Sequence, residues 1–232
     1  MRRNWWKILS VILLVYTFIA GLLVKLPPGV AYEQSNMYES MRNFFFHVPM
    51  WFSQLAVITV SLVYSIKFLR NPLAKYDWYA ADFAATGTVL GSLGLLTGAI
   101  WANYTWGAPW NNDPKQIGAA IALLVYLAYF VLRNSLTDID KKGRIAAVYN
   151  IFAYFIYIPM IMILPRMVES LHPGGKEGAS GGGNPGLGGS SLDPAMRAIF
   201  WPAVIGWILL AVWITTLRFR LKALEEKKYS TV

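Results

Sequence analysis

Six long hydrophobic segments occupy most of this 232-residue chain and restrict it to one broad class of fold. A helix needs about 20 mostly apolar residues to cross the hydrocarbon core of a bilayer. The segments approach or reach that length at positions 5–24, 44–66, 83–100, 117–132, 145–164 and 196–217. Only 14% of the residues are charged, whereas a typical soluble domain carries about 25%. The sequence therefore predicts an all-α integral membrane protein, a single domain over residues 1–232 with six transmembrane helices.

The Lys and Arg residues are divided unequally between the two ends of these segments. If the N-terminus is cytoplasmic, 15 of the 21 basic residues lie on the inner side. Such an excess is the usual orientation signal of membrane proteins. We therefore expect both termini to be cytoplasmic and the loops at 25–43, 101–116 and 165–195 to face outward. Because topology explains the net charge of +9, we expect the lipid bilayer as a partner and no nucleic acid.

The third outer loop contains a run rich in glycine. Nine glycines fall between Gly174 and Gly189, so residues 173–191 are expected to form flexible coil. Lys176 is followed by Glu177 rather than Ser or Thr, and the run therefore lacks the signature of a phosphate-binding loop.

The third segment carries a stripe of glycines. Gly87, Gly91, Gly94 and Gly98 share one face of a helix because of their spacing. Small residues in such a stripe let two helices pack closely in a membrane. Close helix packing is the prediction, and direct approach of the backbone to a flat ligand is the alternative.

The only two histidines of the chain, His47 and His172, both fall on the predicted outer face. His47 lies at the outer end of the second segment, where an ionisable group suggests a functional site. A hydrogen bond to a neighbouring helix is the structural alternative. Two neutral imidazoles are a sufficient axial set for haem iron, whereas zinc normally takes at least three protein ligands. The sequence also contains no cysteine, which excludes thiolate ligands and covalent haem attachment within this chain.

A tryptophan-rich loop between the third and fourth segments reads WGAPWNNDPK from Trp106 to Lys115. Trp106 and Trp110 offer flat aromatic surface for a porphyrin, although tryptophans also collect at membrane interfaces without a specific function. Asp113 followed by Pro114 predicts a helix N-cap. We place Asp113 in the candidate cofactor-binding set as part of this loop.

Three basic residues near the outer ends of the segments are candidates to pair with haem propionates. They are Arg42, Lys115 and Arg166. Contact with lipid phosphate is the alternative for each of them.

The order of these features resembles the WWD-domain haem-handling membrane proteins, specifically the cytochrome c maturation protein C, or haem exporter C, family. The resemblance is carried by His47-Val48-Pro49, the tryptophan-rich loop and His172, and it covers essentially the whole chain. The loop of that family usually reads WGxxWxWD, and here Asn112 replaces the last tryptophan. The Asp-Pro-Lys that follows is similar to the related cytochrome c synthetases, with Gln116 in place of their common Glu. A short chain with two histidines favours the C-type family.

The resemblance implies a multi-pass protein of the bacterial inner membrane whose functional face is periplasmic. It implies that His47 and His172 are axial ligands of haem b, which is bound transiently and without covalent links. The haem would pass to a membrane-anchored periplasmic haem chaperone during cytochrome c maturation. ABC transporter subunits and a small membrane subunit of the maturation complex are further implied partners.

No catalytic constellation is evident in the sequence, and we therefore expect haem binding and transfer rather than an enzymatic reaction. The alternative function is that of a permease subunit in an ABC-type exporter of haem or another small molecule. A b-type electron-transfer subunit is disfavoured because His172 lies beyond the hydrophobic span.

Overall fold

The computed structural model describes residues 4–26, 39–172 and 192–229, without the side chains of residues 139, 140 and 229. Within these ranges, six helices are long and apolar enough to cross a membrane. They are α1 (Trp5–Leu23), α2 (Phe44–Arg70), α3 (Ala74–Trp106), α4 (Pro114–Ser135), α5 (Ile139–Ile158) and α6 (Pro194–Tyr229). The predicted all-α membrane fold with six spanning helices is confirmed. The coil predicted at 173–191 lies outside the described residues.

Two short elements extend the second and fifth spans. A 3-10 turn at Met41–Asn43 leads directly into α2. A π-helical turn at Pro159–Ile163 follows α5 and continues into a short helical turn at Leu164–Met167. Proline has no N–H for the α-helical ladder, which favours a local change of helix type at Pro159. The chain then reaches His172 a few residues after the end of the fifth span.

Helix α2 is the centre of the bundle. It contacts α3, α5 and α6, while α1 packs on α6 and α4 packs on both α3 and α5. Apolar side chains fill the gaps: Phe45 of α2 and Phe200 of α6 are fully buried in one cluster, and Tyr126 and Tyr157 join α4 to α5 in another. The position of α2 matters for the site because α2 carries His47 near its first turn.

The glycine stripe of α3 is the contact surface for α2. The α2 side chains opposite Gly87, Gly91, Gly94 and Gly98 are, in order, Ile58, Gln54, Trp51 and His47. A Cβ atom built on any of these glycines would lie 2.2–2.8 Å from the facing side chain, which is closer than van der Waals contact allows. The predicted close helix packing is confirmed, and the stripe sets how α2 and α3 align.

Ion pairs join the helices at the end of the bundle where α3 begins. Arg133 of α4 donates to both carboxylate oxygens of Asp77, with one N–O distance of 2.7 Å. Asp82 of α3 is fully buried and accepts from Lys222 at 2.6 Å and from Arg218 at 3.3 Å, both on α6. These contacts tie α3 to α4 and to α6 at the end opposite His47.

Candidate functional site

His47 is held between α2 and α3 by both of its ring nitrogens. Its Nδ1 lies 3.0 Å from Thr97 Oγ1. The Thr97 hydroxyl gives its single hydrogen to the carbonyl of Leu93 or Gly94, so it accepts from His47 Nδ1–H. Trp51 Nε1, which can only donate, lies 3.3 Å from His47 Nε2. Together these contacts assign the hydrogen to Nδ1 and the lone pair to Nε2.

His172 is held by the carboxylate of Asp113. Its Nδ1 lies 2.7 Å from Asp113 Oδ1. The Oδ2 atom accepts from Ser170 Oγ at 2.8 Å and from the Leu171 backbone N–H at 2.7 Å. The backbone N–H of Lys115 donates to Oδ1 at 2.9 Å, which confirms the predicted N-cap of α4. A carboxylate that accepts from Nδ1–H fixes the orientation and tautomer of the ring, as it does for histidines that ligate metals.

Asp113 is an anion within this arrangement, although its side chain is fully buried. Burial alone raises the pKa of its carboxyl group. The hydrogen bond and charge of His172, with the hydrogen bonds from Ser170 and the Lys115 backbone, lower that pKa by more. The net result is a pKa of Asp113 well below its usual range. An ionised carboxylate only accepts hydrogen bonds, so it holds His172 with the hydrogen on Nδ1.

Two tryptophans form an aromatic wall beside His172. The Trp106 ring packs edge-on against the imidazole, with centroids 4.7 Å apart, and Trp101 lies 6.2 Å from it. The two indoles also contact each other at 5.1 Å. Both belong to the last turns of α3 rather than to the loop in which the sequence pattern placed them. Helix α3 runs to Trp106, and the next residue, Gly107, has a φ of 79°, a left-handed conformation that glycine adopts easily.

Trp110 lies apart from this wall. It is 43% exposed and lies with Pro109 beside Leu96 and Ala99 of α3. Its Nε1–H donates to Asn112 Oδ1 at 2.9 Å, and Asn112 has a φ of 53°. Asparagine tolerates this left-handed region better than a bulky side chain does. The residue that departs from the usual family pattern therefore closes a turn, and the structure brings Trp106 but not Trp110 against His172.

The two histidines come together at one end of the bundle. His47 near the start of α2, the end of α3, the start of α4 and the segment after α5 all meet there. Both rings lie against the last turns of α3, His47 beside Thr97 and His172 beside Trp101 and Trp106. No hydrogen bond within the described ranges occupies His172 Nε2. Two imidazoles with oriented Nε2 atoms form a donor set that fits the axial positions of haem iron.

A bare metal ion is less well served by this site. The described part of the chain contains no group of three or more His, Asp or Glu side chains that could hold one. Zinc in proteins normally takes at least three such ligands.

The three candidate cations occupy different surroundings. Lys115 lies in the first turn of α4, close enough to Asp113 and Arg166 for their charges to act on it. The Arg166 guanidinium donates to the carbonyl of Met162. Arg42 is engaged elsewhere: its guanidinium donates to carbonyls at the end of α1, including that of Val24 at 2.8 Å, and to Glu39 at 2.6 Å. The structure thus groups Lys115 and Arg166, and it gives Arg42 a role in capping α1.

Three contacts of the histidines were not predicted from the sequence. Trp51 lies four residues after His47, so the i, i+4 spacing on a helix places the two on one face and could have revealed the contact. Thr97 reaches His47 from another helix, and no local pattern indicates that. Ser170 precedes His172 by two residues, but its contact depends on the position of Asp113 in space.

Sequence comparison assigns the chain to a known family. Residues 2–172 match the sequence profile of the family described as "Cytochrome C assembly protein". The chain belongs to that family. The matched region ends at His172 and includes both histidines and the tryptophan-rich segment, whereas α6 lies beyond it.

Individual relatives extend the similarity to nearly the whole chain. "Heme exporter protein C" of Escherichia coli (strain K12) is 27% identical over 235 residues, which cover 97% of this chain and 85% of that protein. "Heme exporter protein C" of Haemophilus influenzae is 26% identical over 195 residues, 84% of this chain and 75% of that protein. "Cytochrome c biogenesis protein CcsA" of Pelargonium hortorum is 30% identical over 92 residues, 39% of this chain and 29% of that protein. The family expected from the sequence is confirmed, and the chain is a multi-pass membrane protein of cytochrome c biogenesis.

Proposed function

We propose that this chain holds haem at the outer end of its helix bundle, with Nε2 of His47 and Nε2 of His172 as the two axial ligands. One observation carries the proposal: each imidazole gives its Nδ1–H to a fixed acceptor, Thr97 Oγ1 or the Asp113 carboxylate. That arrangement leaves Nε2 as the ligating nitrogen of both rings. In this proposal the cargo is haem b, and it is bound without thioether links because the chain has no cysteine.

The surroundings of the histidines supply the remaining contacts of the cargo. Trp106, which packs on His172, would contact the porphyrin and exclude water from that side of the site. Lys115 and Arg166 would neutralise the propionates, because both lie near the Asp113 end of the site. Arg42 and Trp110 belong to the periphery of the site and would add weaker contacts.

The cellular setting follows from charge and family. The excess of basic residues, 15 of 21 if the N-terminus is cytoplasmic, supports a periplasmic position for the histidine end in a bacterial inner membrane. A periplasmic haem chaperone anchored in the membrane would receive the haem, with ABC transporter subunits and a small membrane subunit as further partners. Transfer of an intact haem needs no bond to be made or broken within the porphyrin, so the role is one of binding and hand-over rather than catalysis.

A permease subunit is the second candidate function. The word "exporter" in the names of the Escherichia coli and Haemophilus influenzae relatives favours it. In that case, an ATPase subunit should co-purify with the chain, and haem should stimulate its ATP hydrolysis. Haem bound by the isolated chain without an ATPase would support the first function.

The visible absorption spectrum of the detergent-purified protein tests the proposal. The parent protein, titrated with haemin, should give the spectrum of six-coordinate, low-spin haem. His47→Ala and His172→Ala should each convert it to a five-coordinate or weakly bound form. The double variant should lose most of the bound haem.

Two controls make this result specific. Added imidazole should restore the low-spin spectrum of each single variant, because it replaces the missing ring. Trp201→Phe, on α6 and without a described contact to either histidine, should behave like the parent. Haem content and spectrum that stay unchanged in the double variant would overturn the ligand assignment.

A further inference from the structure

The nitrogen of His47 that would bind iron already has a hydrogen-bond partner in this structure. Trp51 Nε1–H points to His47 Nε2 across 3.3 Å. A neutral imidazole has one lone pair in the ring plane, on the nitrogen without hydrogen. Because Nδ1–H is donated to Thr97, the only lone pair that could bind iron is on Nε2, and that lone pair accepts the hydrogen bond from Trp51. The same lone pair cannot accept from Trp51 and bind iron at once.

Packing holds the indole in this position. Trp51 lies one helical turn after His47 on α2, and its ring meets the imidazole edge-on at a centroid distance of 6.2 Å. On the other side lies Gly94 of α3, where a Cβ atom would be only 2.7 Å from Trp51 Cε2. The indole therefore fills the gap that the glycine leaves, and α3 closes one side of it.

We propose that Trp51 is a latch on His47: its indole N–H occupies Nε2 in the haem-free protein and has to leave before His47 can ligate iron. The inference rests on the proposed function, in which His47 is an axial ligand. Every binding event gives up the Trp51 hydrogen bond, and every release regains it. Trp51 thus weakens haem binding and promotes release, which suits a protein that passes its cargo on.

The first test measures the lone pair itself and uses no haem. Diethyl pyrocarbonate acylates unprotonated imidazole nitrogen, and with two histidines in the chain, His172 is an internal reference for His47. Trp51→Phe keeps an aromatic ring but removes the N–H. A neutral hydrogen bond contributes a factor of about five to an equilibrium. We expect the acylation rate of His47, relative to that of His172, to rise about fivefold in Trp51→Phe.

The second test is a haemin titration of the same variants. Trp51→Phe should bind haemin about fivefold more tightly and release it more slowly to apomyoglobin. Trp51→Leu, which also lacks the N–H, should change both quantities in the same direction. Trp201→Phe is the matched control: the Trp201 ring packs edge-on against Phe52 of α2 and Phe200 of α6, and the substitution should leave both quantities unchanged.

The two tests separate this inference from the proposed function. Suppose that haem binding requires His47, but the acylation rate and the haemin affinity are unchanged in both Trp51 variants. That result would overturn the latch and leave the proposed function standing. If His47→Ala binds haemin as the parent protein does, both the proposed function and the latch are overturned. Size-exclusion elution at the parent volume shows that each variant compared is folded.

Discussion

At the scale of single residues, Asp113 does two things with one carboxylate: it caps α4 and orients His172. Asp113→Asn separates them, because asparagine is also a good N-cap but carries no charge to hold the imidazole. Removing such a partner from a metal-ligating histidine typically lowers affinity by about 10- to 100-fold. We expect a loss of haemin affinity within that range, measured by titration and followed at the Soret band.

Asp193→Asn is the matched control for this experiment. Asp193 caps α6 in the same way, accepting from the Ala195 backbone N–H at 2.8 Å, and it has no described contact with either histidine. Its replacement should leave haemin affinity at the parent value. Equal affinities of the Asp113→Asn and Asp193→Asn proteins would contradict the orienting role of Asp113.

The lowered pKa of Asp113 also leads us to expect that the stability of the folded protein depends on pH. Its pKa in the folded protein is lowered, so its contribution is complete above the unfolded value of about 4 and is lost as pH falls toward the folded value. The melting temperature of the parent in detergent should therefore fall between about pH 5 and pH 2, and part of that fall should be absent from Asp113→Asn. Parallel melting curves for the two proteins across this range would show that the ionised carboxylate contributes nothing to folding.

At the scale of helices, the glycine stripe of α3 allows a comparison along one interface. A methyl group at Gly98 would lie 2.8 Å from His47 Cε1, and one at Gly87 would lie 2.5 Å from Ile58 Cγ1. Both Gly98→Ala and Gly87→Ala should destabilise the bundle by about 1–3 kcal/mol through overpacking. Only Gly98→Ala should also weaken haemin binding, since it displaces His47. Thermal melts measure the effect on stability, and haemin titrations measure the effect on binding. Equal haemin affinities of the two variants would contradict a specific effect of Gly98→Ala on His47.

The number of helices could be predicted from the sequence, but their ends could not. Hydrophobic length identifies the part of a helix that lies in lipid, whereas α3 continues beyond that part at both ends, from Ala74 to Trp106. Polar and aromatic residues are as compatible with helix as with loop at a membrane interface. The end of α3 depends on the left-handed backbone of Gly107, and one glycine among several gave no local reason to choose it.

The candidate site, too, could be predicted only in part from the sequence. The histidines could be found because the chain has only two of them, and the Asp113 cap could be predicted from Asp-Pro. The partners of those histidines depend on how helices align. Thr97 meets His47 only because the stripe fixes the register of α2 against α3, and Trp110 turns away from His172 because Asn112 bends the loop.

At the scale of the whole molecule, the absence of cysteine makes orientation directly measurable. Ala195→Cys places a thiol at the histidine end of the bundle, and Asn71→Cys places one at the other end; both positions are exposed. In intact spheroplasts, a membrane-impermeant maleimide should label Ala195→Cys and leave Asn71→Cys unlabelled until the cells are lysed. The reverse pattern would place the histidines in the cytoplasm and refute the proposed topology.

A substitution at the end of the bundle opposite the histidines should change the free energy of unfolding without changing haemin affinity. Asp82 is buried and accepts hydrogen bonds from Arg218 and Lys222, which are partly exposed, so removing it costs mainly these charge-assisted hydrogen bonds. Asp82→Ala should lower the free energy of unfolding by about 1–3 kcal/mol without changing haemin affinity, since Asp82 lies at the far end of α3. A fall in affinity at unchanged melting temperature would contradict this separation.

The two proposed ligands differ in how stiffly they are mounted. His47 is part of a spanning helix and lies tight against Gly98 of α3, whereas His172 lies in the non-helical segment after its span, held by the Asp113 carboxylate and the Trp106 ring. If both rings bind iron, one axial ligand would be anchored in a packed helix and the other in a non-helical segment. An acceptor protein would therefore exchange its own ligand for His172 first, while His47 keeps the iron bound until the second bond has formed.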